Sequence, residues 1–131
     1  MFLALARFPE LQTLFSKVVS LSGVLDMHEF IATREDMEEL FKEKFGYYPE
    51  NREWIEKRDP LLTVDCIRDD LPILIIQGTE DNRVTLKHGY EMVAKLQAAG
   101  KNVTYWEFEG AMHCLSNLPN RFSLIWNWLS D

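Results

Sequence analysis

The chain has 131 residues, of which 47% are hydrophobic and 12% aromatic, so it is long enough to form one globular domain with a modest core. Its 21 acidic residues outnumber its 14 basic residues and give a formal net charge of −7. Because the basic residues are scattered among acidic ones and form no patch, this charge argues against binding to nucleic acid or to an anionic membrane surface.

The two cysteines, Cys66 and Cys114, lack the CxxC or Cys/His spacing of a metal site, and two cysteines do not indicate a disulfide framework. A reducing compartment is the simplest interpretation. The opening Met1–Leu11 has too few apolar residues for a signal peptide, and no apolar run approaches the ~20 residues that a membrane span requires. We therefore expect a cytoplasmic protein without a membrane segment.

The first predicted elements are a helix and a strand. Phe2, Leu5 and Ala6 share a helical face, and the helix should stop at Phe8, because the residue before a proline is disfavoured in the α region. A short β-branched apolar run at Val18–Ser22 predicts a strand that is buried on both faces, as in a parallel sheet.

Between about residues 26 and 70 the composition becomes charged and helix-forming, which predicts a helical insert above the sheet. One helix should end at Gly46, and a shorter helix is predicted over Glu50–Lys57. Thr33 followed by Asp36 resembles a helix-capping pair. The predicted inner stripe of the first helix is Met37, Leu40, Phe41 and Phe45.

The last third of the chain alternates regularly between strand and helix patterns. Strands are predicted at Ile73–Gln77 and Val103–Phe108, and helices at Leu86–Ala99 and Arg121–Leu129. This alternation indicates a parallel sheet with right-handed crossovers. We therefore predict an α/β fold of about three parallel strands with flanking helices, in one domain over residues 1–131.

Two residues that can carry chemistry follow successive predicted strands. Asp81 lies just past the strand that ends near Gly78, and His113 follows the next strand, 32 residues later. Because the carboxyl ends of parallel strands meet at one edge of a sheet, we expect these side chains to lie close together. By itself, Asp81 would be interpreted as a turn or cap residue.

An aspartate beside a histidine is two-thirds of a hydrolytic triad. The carboxylate keeps one imidazole nitrogen protonated, so that the other nitrogen can take the proton of a serine hydroxyl. In this reading Asp81 orients the ring and His113 is the general base. Gly78 permits a sharp exit from the strand, and Gly110 with Ala111 leaves room around the histidine.

Four segments resemble the prolyl oligopeptidase-like serine peptidases of the α/β-hydrolase superfamily. PILIIQGTEDNRV (Pro72–Val84) resembles the strand and turn that carry the family's acid, with Gln77 in place of the common histidine. EGAMHC (Glu109–Cys114) resembles the histidine loop. SKVVSLSGVLDM (Ser16–Met27) resembles the preceding strand, and MFLALARFPEL (Met1–Leu11) resembles the helix that follows the nucleophile turn.

The resemblance implies the C-terminal half of a catalytic domain, with Asp81 and His113 as acid and base and with no metal or organic cofactor. The sequence contains no Gly-x-Ser-x-Gly motif, and the family turn that carries the serine would lie just before Met1. We therefore expect a serine peptidase domain for peptide or ester substrates that is inactive by itself. An upstream half, or a second copy, would pair with the exposed strand edge at Val18–Ser22.

Two other functions remain open at this point. A chain without a nucleophile could be an inactive remnant that acts as a binding or dimerisation module through its exposed strand edge and apolar face. A carboxylesterase or lipase would have the same acid and base positions.

The remaining candidates are weaker. Ser22 follows a strand, but Ser20 stands where a nucleophile turn has glycine, so Ser22 is a poor nucleophile candidate. Cys114 is predicted to be a packed core thiol. His28 and His88 are predicted to be surface or capping residues.

Overall fold

The computed structural model describes residues 1–131 and contains one sheet of three parallel strands in the order β1-β2-β3. The predicted fold class, about three parallel strands with flanking helices, is confirmed. The strands are β1 (Val18–Leu21), β2 (Ile73–Gly78) and β3 (Val103–Phe108).

Six α-helices and three short 3₁₀ helices surround the sheet, and none of the helices is both long and apolar enough to cross a membrane. The α-helices are α1 (Phe2–Arg7), α2 (Met27–Thr33), α3 (Glu35–Phe45), α4 (Arg52–Glu56), α5 (Leu86–Ala98) and α6 (Arg121–Ser130). The 3₁₀ helices cover Pro9–Leu14, Pro60–Cys66 and His113–Leu115.

The central strand β2 is the most buried part of the molecule. It pairs with β1 on one side and β3 on the other, and Ile73, Leu74, Ile75 and Ile76 are all 0% exposed. Because successive side chains of a strand point to opposite faces, this unbroken apolar run supplies both layers of the core at once.

Each face of the sheet is covered by a different set of helices. On one face, α1, α5 and the 3₁₀ helix Pro60–Cys66 pack over Ile73 and Ile75. On the other face, α6 and the 3₁₀ helix His113–Leu115 cover Leu74 and Ile76. The result is a three-layer α/β arrangement with β2 at its centre.

The helices α2, α3 and α4 form a smaller hydrophobic cluster of their own. This cluster contains Met27, Ile31, Tyr47, Trp54 and Ile55. It is joined to α5 through the Glu29 carboxylate, which accepts hydrogen bonds from Thr85 Oγ1 at 3.1 Å and Lys87 Nζ at 2.8 Å.

This helical region differs from the sequence prediction in several features, one of which is the predicted inner stripe of α3, where Leu40 is 37% and Phe45 is 59% exposed. Thr33 does not cap α3, because it is the last residue of α2 and its hydroxyl donates to the carbonyl of Glu29 at 2.8 Å. The helix α2 was not predicted, although Asp26 signals its start by accepting from the Glu29 N–H at 2.9 Å. Gly46 ends α3 in the left-handed region, as predicted.

The prediction that His88 lies on the surface is wrong. His88 is 0% exposed, and its Nδ1 accepts hydrogen bonds from the backbone N–H groups of Asp26 at 3.1 Å and Leu25 at 3.3 Å. Burial lowers the pKa of His88, so the ring is neutral and can act as this acceptor. His28 is exposed, as predicted.

The prediction for Cys114 is also wrong. Its thiol is not in the core, because the residue is only half-buried and stands in the loop after β3, with a φ of 54°. Cys66 is exposed, and neither cysteine forms a disulfide.

Candidate catalytic site

Asp81 and His113 meet at the carboxyl edge of the sheet. Asp81 lies in the turn after β2, and His113 begins the 3₁₀ helix that follows β3. The imidazole Nδ1 of His113 is 2.9 Å from Oδ2 and 3.1 Å from Oδ1 of Asp81. The structure thus brings together the two residues that the sequence singled out, while their catalytic role stays a prediction.

The Asp81 carboxylate is held from inside the protein. Its side chain is 0% exposed, and Oδ1 accepts hydrogen bonds from the N–H groups of Arg83 at 2.9 Å and Val84 at 3.0 Å. Burial by itself would raise the pKa of Asp81, but the two backbone hydrogen bonds and the contact with His113 outweigh it, so the pKa lies below its usual value. Asp81 is therefore an anion at neutral pH and can hold Nδ1–H of the ring.

The loops after β2 and β3 touch because Gly78 has no side chain. A Cβ atom at this position would overlap the carbonyl of Ala111, one of the residues that lead to His113. Two hydrogen bonds join the loops, from the Glu80 N–H to the Ala111 oxygen at 3.0 Å and from the Gly110 N–H to Thr79 Oγ1 at 2.8 Å. Glycine at the end of β2 thus sets the distance between acid and base.

A second group of contacts shapes the histidine loop. Asn117 bridges this loop, since its Oδ1 accepts from the Met112 N–H at 2.9 Å and its Nδ2 donates to the Gly110 oxygen at 2.8 Å. On the other side, Ser22 Oγ accepts from the Cys114 N–H at 2.9 Å. Asn117 was not predicted to contact His113's loop, because its only signal in the sequence is an amide in a loop.

Gln77 holds the turn that carries Asp81 against the start of α5. The residue is 0% exposed, its Nε2 donates to the Thr85 oxygen at 3.2 Å, and its Oε1 accepts from the Gly89 N–H at 3.0 Å. This amide ties the last part of β2 to the start of α5.

The His113 ring opens onto a cavity of about 370 Å³, and its side chain is 28% exposed. Since Asp81 occupies Nδ1, Nε2 is the ring nitrogen that can exchange a proton with a group in this cavity. No three histidine, cysteine, aspartate or glutamate side chains converge in the way that metal ligands do. The cavity is lined by Glu80, Asn82, Arg83, Met112, His113 and Ser116.

The poor nucleophile candidate Ser22 does not face this cavity as a free hydroxyl. It is 4% exposed, and its Oγ already accepts the hydrogen bond from Cys114. Asp81 and His113 thus form a carboxylate–imidazole pair beside a cavity whose lining includes Ser116 but not Ser22.

Comparisons with known proteins point to one family. The sequence pattern of the prolyl oligopeptidase family matches residues 2–131. The protein named uncharacterized peptidase YtmA of Bacillus subtilis (strain 168) is 31% identical over an alignment of 107 residues that covers 79% of this chain and 40% of that protein.

Solved structures resemble this chain as well. The acylaminoacyl peptidase of Pyrococcus horikoshii superposes with a TM-score of 0.80 at 23% identity, covering 97% of this chain and 21% of that chain. A puromycin-hydrolyzing peptidase of Mycobacterium tuberculosis gives a TM-score of 0.65 at 26% identity, covering 76% of this chain and 15% of that chain. The chain thus spans 40% or less of the length of each of these three relatives.

Proposed function

Because the chain belongs to the prolyl oligopeptidase family, we propose that it supplies the acid and the base of a Ser-Asp-His triad in a serine peptidase. Asp81 is the acid, His113 is the base, and the serine comes from a segment outside these 131 residues. The observation that carries the proposal is the contact of His113 Nδ1 with a buried, ionised carboxylate, while the ring itself faces a cavity.

In the proposed reaction, His113 moves a proton in both directions. Its Nε2 takes the hydroxyl proton of the serine as the oxygen attacks the substrate carbonyl carbon, and the protonated ring then gives this proton to the leaving amine. A water molecule then attacks the acyl-enzyme in the same way. His113 takes a proton from this water and returns a proton to the serine oxygen as the ester bond to the enzyme breaks. Asp81 keeps Nδ1–H pointing at itself and stabilises the imidazolium in both halves.

The free edge of β1 is the proposed place for the segment with the serine. β1 pairs only with β2, so the N–H and C=O groups of its other edge have no strand partner. Beside this edge lies a mostly apolar groove of about 460 Å³. A strand from an upstream half, or from a second copy of the chain, would extend the sheet here.

We further propose that residues 1–131 are part of one hydrolase domain and that residues 26 to 70 are an insertion in it. The separate hydrophobic cluster of α2, α3 and α4 supports this division as far as Glu56, since these helices pack mainly on one another, whereas the 3₁₀ helix Pro60–Cys66 packs on the sheet. The two unpaired cysteines support a reducing compartment.

Peptides are the proposed substrates. The Pyrococcus horikoshii and Mycobacterium tuberculosis structures are named as peptidases, and they cover 97% and 76% of this chain. Esters remain the alternative, because an ester carbonyl meets the same serine, histidine and aspartate in the same order.

The first test is to read the coding DNA upstream of Met1 for an in-frame Gly-x-Ser-x-Gly motif and to express the chain with that segment. We expect this protein to react with a fluorophosphonate probe and to hydrolyse chromogenic peptides, while the 131 residues by themselves do neither. His113→Gln and Asp81→Asn should lower kcat by about 10⁴-fold each. The exposed histidine gives a matched control, and His28→Gln should leave kcat unchanged.

Labelling of the isolated 131-residue chain would contradict the proposed source of the serine. Full activity of the His113→Gln protein would contradict the proposed base. Parallel assays with peptide amides and p-nitrophenyl esters separate a peptidase from an esterase by the ratio of their kcat/KM values.

A binding or dimerisation module is the second candidate, because large apolar side chains stand out from α6. Phe122 is 66% exposed and Trp126 is 69% exposed, in addition to the free edge of β1. If this candidate is right, no upstream motif exists, and sedimentation shows self-association that Trp126→Lys or Val19→Lys abolishes. A monomer at all concentrations that becomes active with the upstream segment would exclude it.

A further inference from the structure

Ser22 has an unusual backbone conformation directly after β1. Its φ is 49°, in the left-handed region that residues other than glycine, asparagine and aspartate rarely adopt. The residue is also 4% exposed, so its polar side chain is buried. A strained residue that persists in a fold must be held there by its surroundings.

The surroundings of Ser22 fix it from both sides. Its N–H donates to the Ile76 oxygen at 2.9 Å, which continues the pairing of β1 with β2. The next residue is Gly23, where a Cβ atom would overlap Ser20 Oγ, so the chain turns back closely against β1. The conformation of Ser22 is therefore a consequence of the sheet and of this turn.

The buried hydroxyl contacts the histidine loop. Ser22 Oγ accepts from the N–H of Cys114, the residue directly after His113, at 2.9 Å across 92 positions of sequence. Cys114 and Leu115 also have positive φ values, 54° and 51°. The Cys114 N–H lies in the first turn of a short 3₁₀ helix, where backbone donors have no partner within the helix.

The other contacts of this loop come from different places. Thr79 and Glu80 bind it from the turn after β2, and Asn117 binds it from within the loop itself. Asn117 is exposed, so water can replace its hydrogen bonds, whereas Ser22 is buried. Ser22 is thus the anchor that comes from β1.

We propose that Ser22 is a positioning residue, whose hydroxyl fixes the backbone at Cys114 and so keeps the ring of His113 turned toward Asp81. The inference rests on the proposed function of His113 as the base. It gives the Ser22 hydroxyl a role as a hydrogen-bond acceptor in place of a role as nucleophile.

The test follows the His113 ring by ¹⁵N-edited NMR in the 131-residue chain, which has three histidines, so that His113→Gln assigns the signal. The Nδ1–H proton held by Asp81 should give a low-field signal that exchanges slowly with water. Loss of one hydrogen bond in the loop should raise this exchange about fivefold in Ser22→Ala. Ser22→Gly is the second variant. It also lacks the hydroxyl, but glycine adopts a positive φ without strain, so this variant should fold even if Ser22→Ala does not. It should show the same increase.

Exchange at the wild-type rate in both variants would overturn the proposal, even if their urea midpoints change, because the hydroxyl would then have only a structural role. An effect in Ser22→Ala that is absent in Ser22→Gly would also overturn it, since strain would be the cause. The exposed ring of His28 serves as the internal reference and should not change.

The same experiment separates this inference from the proposed function. Asp81→Asn should abolish the low-field signal, which checks the pair of acid and base directly. If the pair is intact and responds to Ser22, but the protein with its upstream segment is inactive, the proposed function fails and the positioning role stands. In an active protein, Ser22→Gly should lower kcat and leave KM unchanged.

Discussion

The sheet and the α2–α4 region are built in different ways. In β2 the four residues from Ile73 to Ile76 are fully buried, whereas no residue of α3 is buried. The loops after β2 and β3 are fixed by hydrogen bonds and by the close approach at Gly78. The α2–α4 region has one small hydrophobic cluster, and its ion pairs lie on the surface. The pair of Asp81 and His113 thus stands at the edge of the more deeply buried region.

The largest expected difference between the two regions is in the free energy of unfolding after loss of a leucine side chain. Leu74→Ala removes a fully buried side chain from β2 and should destabilise the protein by about 2–5 kcal/mol. Leu40→Ala is the matched change in α3, where Leu40 is 37% exposed, and should have a small effect of about 0.5 kcal/mol. Urea unfolding of both variants measures this contrast. Equal losses would show that the two regions are not built differently.

Glycine replacements give the next largest contrast. Gly78→Ala would force its methyl group into the Ala111 carbonyl, so we expect a loss of about 1–3 kcal/mol together with movement of the His113 loop. Gly46→Ala at the end of α3 meets no atom within 4 Å and has only the strain of a φ of 65°, about 1 kcal/mol.

NMR should show the His113–Asp81 signal disturbed by Gly78→Ala alone. An undisturbed signal in that variant would mean that the loops can separate without affecting the pair.

The two regions should also respond in opposite ways to acid. The pKa of Asp81 is lowered in the folded protein, so its stabilisation is present above the ordinary carboxyl pKa and is lost as the pH falls through the lowered value. Asp81→Asn should therefore cost about 1–2 kcal/mol at pH 7. The difference in unfolding free energy between Asp81→Asn and the wild-type protein should become smaller below about pH 4. Urea unfolding between pH 7 and pH 2 tests this.

Asp59 is the control in the helical region. Burial raises the pKa of Asp59, although the Leu61 and Met27 N–H groups bind its Oδ1, so its contribution to stability is present in acid and is lost as the pH rises through the raised value. Asp59→Asn keeps an oxygen for both donors and should have little effect, or stabilise, at pH 7. If the change in unfolding free energy relative to wild type depended on pH in the same direction for Asp81→Asn and Asp59→Asn, the opposite responses predicted for the two carboxylates would be contradicted.

The smallest effect is expected on the surface of α3. The ion pair of Glu38 with Lys42, at 2.9 Å, is open to solvent, and pairs of this kind add little to stability. Glu38→Gln should therefore leave the urea midpoint within experimental scatter at 0.1 M salt. A clear shift of the midpoint would mean that α3 relies on its ion pairs more than on its cluster.

The sequence was sufficient for the sheet, the family and the position of the pair. Runs rich in β-branched, other apolar and aromatic residues predicted all three strands, and the resemblance to prolyl oligopeptidase-like peptidases is confirmed by the match over residues 2–131. Asp81 and His113 could be placed at one edge because topology decides where the carboxyl ends of parallel strands lie.

The rest depends on contacts between distant parts of the chain. His88 looked like a surface residue because its partners, the N–H groups of Leu25 and Asp26, are 63 and 62 positions away. The role of Ser22 follows from a positive φ and from a partner 92 positions away. Neither the burial of His88 nor the contact of Ser22 with Cys114 can be read from the residue types nearby in the sequence.

The Gln77 amide has a consequence for how a substrate would meet this site. Its hydrogen bonds to Thr85 and Gly89 join the two ends of the turn that carries Asp81, and these hydrogen bonds lie inside the protein. A closed turn of this kind has few alternative conformations, so the Asp81 carboxylate stands beside His113 Nδ1 in the absence of any ligand. In the proposed function, an acid that is placed in advance in this way leaves more of the binding energy to act on the substrate.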